Sequence, residues 1–116
     1  MKISSICSLL DAEVLCGEEK LEMDVLSACG SDMMSDVLAY VKNQAVLLTG
    51  LVNPQVIRTA AMMDMVCIVF VRSKTPSDDM IALAKECGIT VLTTPKRMYE
   101  ACGKLYAAGL GSEVNV

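Results

Sequence analysis

The chain has 116 residues, 53% of them apolar and 21% charged, with a net charge of −4. That excludes disorder, which needs low hydrophobicity, and leaves room for one core but not two. Ten Lys and Arg against fourteen Asp and Glu, in no basic stripe and with no Trp, one Phe and three Tyr, exclude nucleic acid as a partner.

Residues 2–10 read as a short helix carrying Ile3, Ile6, Leu9 and Leu10. A signal peptide is excluded, because Asp11 and Glu13 follow at once and no small-x-small cleavage site appears. Glu13 to Cys16 reads as a short strand, and Glu22 to Cys29 as another with rough alternation. Ser31 or Asp32 then caps a helix carrying Met33, Met34, Val37, Leu38 and Val41.

From residue 44 three apolar runs follow: Ala45 to Thr49, Met65 to Val71, and Ile89 to Thr93. Continuous β-branched runs without polar alternation suit parallel strands covered on both faces. Between and after them lie helical stripes: Val56, Ile57, Ala60, Ala61, Met63; then Met80, Ile81, Leu83, Ala84; then Met98, Ala101, Cys102, Leu105, Ala108. Asn53-Pro54, Thr75-Pro76 and Thr94-Pro95 each set a capping side chain before Pro, so helices are expected near Pro54, Pro76 and Pro95. Thr75 to Asp78 adds a short capping box, and Gly88 and Gly109 are helix stops. The expected fold is α/β, a three-layer single domain over 1–116. Parallel strands near 45–49, 66–71 and 89–93 are joined by right-handed helical crossovers, with a core over about 3–109 and a tail at 110–116. The longest apolar run, Met65 to Val71, is far short of the ~20 residues that span a bilayer, so a soluble cytoplasmic protein without membrane contact is expected.

Six cysteines stand at wide, irregular spacing with no Cys-x-x-Cys. They read as buried free thiols of a reducing compartment, Cys67 in an apolar strand and Cys102 at core spacing on a helix, and not as zinc ligands. Nine Met compensate for the missing aromatics as core filler, and they also suit an adaptable interface such as a homodimer's.

Open α/β sheets bind ligands at the carboxyl ends of their strands. Thr49, Gly50 and Asn53 belong to the first such loop, Arg72, Ser73, Lys74 and Thr75 to the second, and Thr93 and Thr94 to the third. Hydroxyls, two cations and helix N-termini can hold an anion there, although the same residues also serve as caps. No Gly-rich phosphate loop is present. Asp32 and Asp36, four apart, are expected on one helix face, where they either hold Mg²⁺, act as an acid/base pair or answer the helix dipole. With no His there is no ready base, so no catalytic residue and no metal ligand is assigned.

Gly30-Ser31-Asp32-Met33-Met34-Ser35-Asp36-Val37-Leu38-Ala39 followed by Leu47-Leu48-Thr49-Gly50-Leu51 resembles the DRTGG domain family. Asn53 to Ala60, the Ile68-to-Arg72 run, Thr93-Thr94-Pro95 and Tyr99-Glu100-Ala101 fit the same pattern, so the resemblance spans about residues 3–109. It implies a stand-alone three-layer α/β domain similar to the N-terminal domain of HPr kinase/phosphorylase. Such domains occur fused to CBS domains and in some phosphate acetyltransferases, a regulatory setting without established catalysis. Stand-alone members are often encoded beside hydrogenase components and signalling proteins. Asp32, Thr49 and Gly50 match the family's Asp, Thr and first Gly, and the match adds Asp32 to the candidate ligand residues. Met33 stands where the family has Arg and Leu51 where it has the second Gly, which removes the motif's own anion fork.

Three functions remain open. The first is a non-enzymatic regulatory module, a homodimer binding a nucleotide or phosphorylated metabolite at Asp32, Thr49, Gly50, Asn53, Arg72, Lys74, Thr93 and Thr94, with no other cofactor. The second is a ligand-free interaction domain docking on a redox or signalling enzyme. The third is a phosphoryl-handling enzyme using Asp32 and Asp36 with Mg²⁺.

Overall fold

Alternation of side chains along each central strand decides the layers. The computed structural model describes residues 1–41 and 43–111. Five strands, β1 (Glu13–Cys16), β2 (Ser27–Gly30), β3 (Ala45–Thr49), β4 (Cys67–Phe70) and β5 (Thr90–Thr93), form one sheet in the order β1-β5-β4-β3-β2. The expected parallel trio is present: Val46 pairs with Cys67 and Cys67 with Thr90, and β2 joins β3 in the same sense. Only β1 runs antiparallel, alongside β5.

Ala45, Leu47, Ile68, Phe70 and Val91 point to one face. There they meet Val37 of α2 (Met34–Tyr40), Val56, Ile57 and Ala60 of α3 (Pro54–Met62), and Met80 and Ala84 of α4 (Asp78–Cys87). Val46, Leu48, Cys67, Val69 and Leu92 point the other way, onto Ile3 and Ile6 of α1 (Ile3–Leu9) and Ala101 and Leu105 of α5 (Met98–Ala107). The sheet is therefore buried on both faces, which is why its strands show no polar alternation. Leu110 is also buried in the second layer, while 112–116, part of the expected tail, lie outside the described residues.

Helices begin near all three prolines, at Pro54, Asp78 and Met98, but the expected cap directly before Pro holds only at the first. Asn53 Oδ1 accepts the Gln55 N–H at 2.7 Å with Pro54 in the first turn. At the second, Ser77 is the cap, accepting from the Met80 N–H at 3.3 Å, and Pro76 lies before the helix. At the third, the Thr94 N–H still donates to Phe70 O at 2.9 Å, so the sheet continues where a cap was expected. The Thr94 hydroxyl receives the Lys96 N–H, and α5 starts only at Met98. Gly88 ends α4 in a left-handed conformation, φ 71°, as expected of a helix stop. Of the expected strand from Glu22 to Cys29, residues 22–26 are not strand and β2 starts at Ser27; Asp24 makes an isolated antiparallel bridge to Lys2, and the Met23 carbonyl receives the Ile3 N–H at the start of α1.

Candidate functional site

Parallel pairing brings the ends of β2, β3, β4 and β5 to one edge of the sheet, and the loops that follow them are neighbours there. The Ser31 N–H donates to Leu48 O, extending the β2–β3 ladder one step. That step delivers Asp32 to the end of β3. Asp32 Oδ1 accepts the Thr49 hydroxyl at 2.9 Å and the Gly50 N–H at 2.7 Å. The Thr49 oxygen, fully buried, receives the Leu51 N–H at 3.1 Å. The three matching residues of the resemblance thus form one clasp.

The same geometry corrects the expected Asp32–Asp36 pair. Ser31 Oγ takes the Met33 N–H at 2.9 Å, and α2 opens after Met33, with Asp36 in its first turn. Asp32 lies outside the helix, so the two carboxylates do not share a helix face. Among the described residues, no group of three or more His, Cys, Asp or Glu is placed to hold a metal ion.

Arg72 enters the cluster from the loop after β4. It and Ser73 both have left-handed backbone, φ 59° and 57°. Their N–H groups donate to Lys96 O and Thr94 O, each at 2.8 Å, which holds the turn against the loop after β5. Left-handed backbone costs roughly 1–2 kcal/mol per non-Gly residue, so this turn is held by its surroundings. The turn lays the guanidinium against Gly50: a Cβ there would overlap Arg72 Nη2 and lie 3.2 Å from Cζ. The side chain is exposed and, among the described residues, has no hydrogen-bond or ion-pair partner.

The remaining candidates divide by what their polar atoms do. Lys74 is exposed, and its carbonyl accepts the Thr93 hydroxyl at 2.7 Å. The Thr94 hydroxyl, fully buried, donates to Leu10 O at the end of α1. Asn53 caps α3. Asp32, Thr49, Gly50 and Arg72 therefore form one cluster, and the hydroxyls of Thr93 and Thr94 tie loops together. Lys96 was not anticipated from the sequence. Only 17% exposed, it pairs with Asp11 at 3.5 Å and Glu100 at 3.7 Å, and its i,i+4 spacing to Glu100 was the available signal.

A shallow cavity of about 270 Å³ at the opposite end of β5 was also unanticipated; Gly17, Glu18, Glu19, Lys85, Gly88 and Ile89 line it. The six thiols are all free. Cys67 is fully buried as expected, whereas Cys87 is exposed and Cys7, Cys29 and Cys102 are half-buried. Burial pushes the Cys67 thiol far up, with the neighbouring Cys7 and Cys16 adding to it. Burial first, and Asp36 second, also raises Cys29; burial and then Cys29 raise Cys102.

The DRTGG domain model matches residues 5–108. The chain belongs to the DRTGG domain family. Among solved structures, the DRTGG chain is similar to the CBS and DRTGG domains of the regulatory region of Clostridium perfringens pyrophosphatase, determined with its activator, diadenosine tetraphosphate. The TM-score is 0.76 at 20% identity, over 97% of this chain and 49% of that one, so the fold is shared and the chain spans about half that structure's length. No curated protein is detectably similar in sequence. No described helix is long and apolar enough to cross a membrane.

Proposed function

We propose that this DRTGG domain is a cytoplasmic regulatory module, working as a homodimer, in which Arg72 and Lys74 receive a small anionic ligand such as a nucleotide or phosphorylated metabolite. The observation that carries the reading is Arg72 itself. Two consecutive left-handed residues hold its guanidinium against Gly50, and no described group pairs with it. Strain of this kind collects where a side chain must be aimed, and a planar guanidinium suits phosphate oxygens. Asp32 already takes the Thr49 hydroxyl and the Gly50 N–H, so the anion is held by cationic side chains and not by the strand-end amide. The activator bound to the pyrophosphatase region is a nucleotide, which is compatible with this chemistry.

The test is thermal unfolding with inorganic phosphate, ATP, AMP and diadenosine tetraphosphate. A ligand that binds only the folded state must raise the melting temperature, and Arg72→Ala should remove the rise. If none of these shifts the parent protein, the second reading takes over: a ligand-free domain docking on a redox or signalling enzyme. Met33 at 61% and Met62 at 68% exposure favour that reading, since flexible thioethers suit adaptable contacts.

A further inference from the structure

The two most exposed large hydrophobic side chains in the described structure lie on one helix. Tyr99 is 92% and Tyr106 83% exposed, and both belong to α5. Seven residues apart, they sit two turns from each other on the same face, about 10 Å along the axis. Between them stands Gly103. Glycine inside a helix costs roughly 0.8–1 kcal/mol relative to Ala. Among the described residues nothing requires it here, because a Cβ on Gly103 would meet none of their atoms within 4 Å. A close approach from outside the chain would require it.

The charges on α5 say which partner fits. Glu100, which within the chain pairs with Lys96 at 3.7 Å, lies toward its N-terminal end and Lys104 toward its C-terminal end, both exposed. A second α5 laid antiparallel about a two-fold axis beside Gly103 sets Glu100 against the partner copy's Lys104 and Tyr99 against its Tyr106. Self-complementarity about a two-fold axis is what an isologous dimer needs, and tyrosines beside a small residue supply anchors and close approach.

We infer that α5 pairs with α5 of a second copy of this chain, antiparallel and crossing at Gly103, with Tyr99 and Tyr106 as the buried anchors. The inference rests on the homodimer reading and gives that dimer its surface.

Sedimentation velocity of the full chain at tens of micromolar is the first measurement, with circular dichroism as the check on folding. The parent should sediment at twice 12.4 kDa. Gly103→Arg, at a position with open space around it, should stay folded and weaken the dimer roughly tenfold or more. Glu100→Lys and Lys104→Glu should each weaken it, and the double swap should restore it, because opposite charges then face each other again. A monomeric parent overturns both the α5 pairing and the dimer, leaving the tyrosines to a foreign partner. A dimer untouched by Gly103→Arg overturns the α5 pairing alone and moves the interface elsewhere. Failure of the double swap to restore what the single changes lost overturns the antiparallel arrangement.

Discussion

Asp32 accepts the hydroxyl of Thr49 at 2.9 Å across seventeen residues of chain, and the same oxygen accepts the N–H of Gly50. One carboxylate thereby closes the ends of two neighbouring strands. It satisfies a fully buried hydroxyl and a turn amide together. Asp32→Ala should cost about 1–3 kcal/mol, the usual penalty for stranding a buried partner. Asp32→Asn should cost less, since its amide oxygen can still accept both bonds. Urea unfolding of the two variants measures the difference; equal losses would mean that the charge, not the acceptor, matters.

Gly50 is small because Arg72 lies on it. The atom a methyl would meet is the far end of a flexible side chain, so Gly50→Ala should change stability by no more than about 0.5 kcal/mol. It should nonetheless displace the guanidinium and reduce any phosphate- or ATP-dependent rise in melting temperature, as Arg72→Ala does. Large destabilisation by Gly50→Ala would show that the glycine answers the backbone instead.

The left-handed turn at Arg72 and Ser73 offers a stability test without a ligand. Ser73→Gly should raise stability by roughly 0.5–1 kcal/mol, because glycine removes the Cβ penalty but gains freedom when unfolded. Ser73→Val should lower it, since a β-branched residue tolerates positive φ worst. Melting temperatures of the pair against the parent decide the matter.

The buried thiols set an alkaline limit. Cys67 has its folded-state pKa raised far above the ordinary 9.0, chiefly by burial, so the unfolded chain loses that proton first. The folded state then binds more protons than the unfolded one, and stability must fall as pH rises. This contribution is complete below about pH 9 and shrinks above it, with Cys7, Cys16, Cys29 and Cys102 acting in the same direction. Urea midpoints should therefore decline between pH 8 and 10, and Cys67→Ala should decline less steeply. An equal slope in the variant would exclude Cys67 as a source.

Much of the scaffold was legible because burial on both faces leaves only one kind of sequence. Ala45 to Thr49 and the runs around Cys67 and Val91 carry no polar alternation, and they are the parallel centre of the sheet. Asn53-Pro54 was legible for a local reason: the cap's oxygen reaches an N–H two residues away. Thr94-Pro95 has the same local chemistry and a different outcome. There the neighbouring strand claims the Thr94 N–H and Leu10 its hydroxyl, and both partners are distant in sequence.

The sequence by itself therefore determined the fold class, the family and the three strands, since each follows from residue types a few positions apart. Only the tertiary structure decided that Asp32 serves Thr49 and Gly50 instead of Asp36, and that Arg72 rests on Gly50. Those contacts depend on the strand order β2-β3-β4, which chooses the loops that become neighbours. Exposure was decided the same way. Met65 and Met80 are buried and Met33 and Met62 are not, because a methionine is equally at home in a core or on a surface until a neighbouring element covers it.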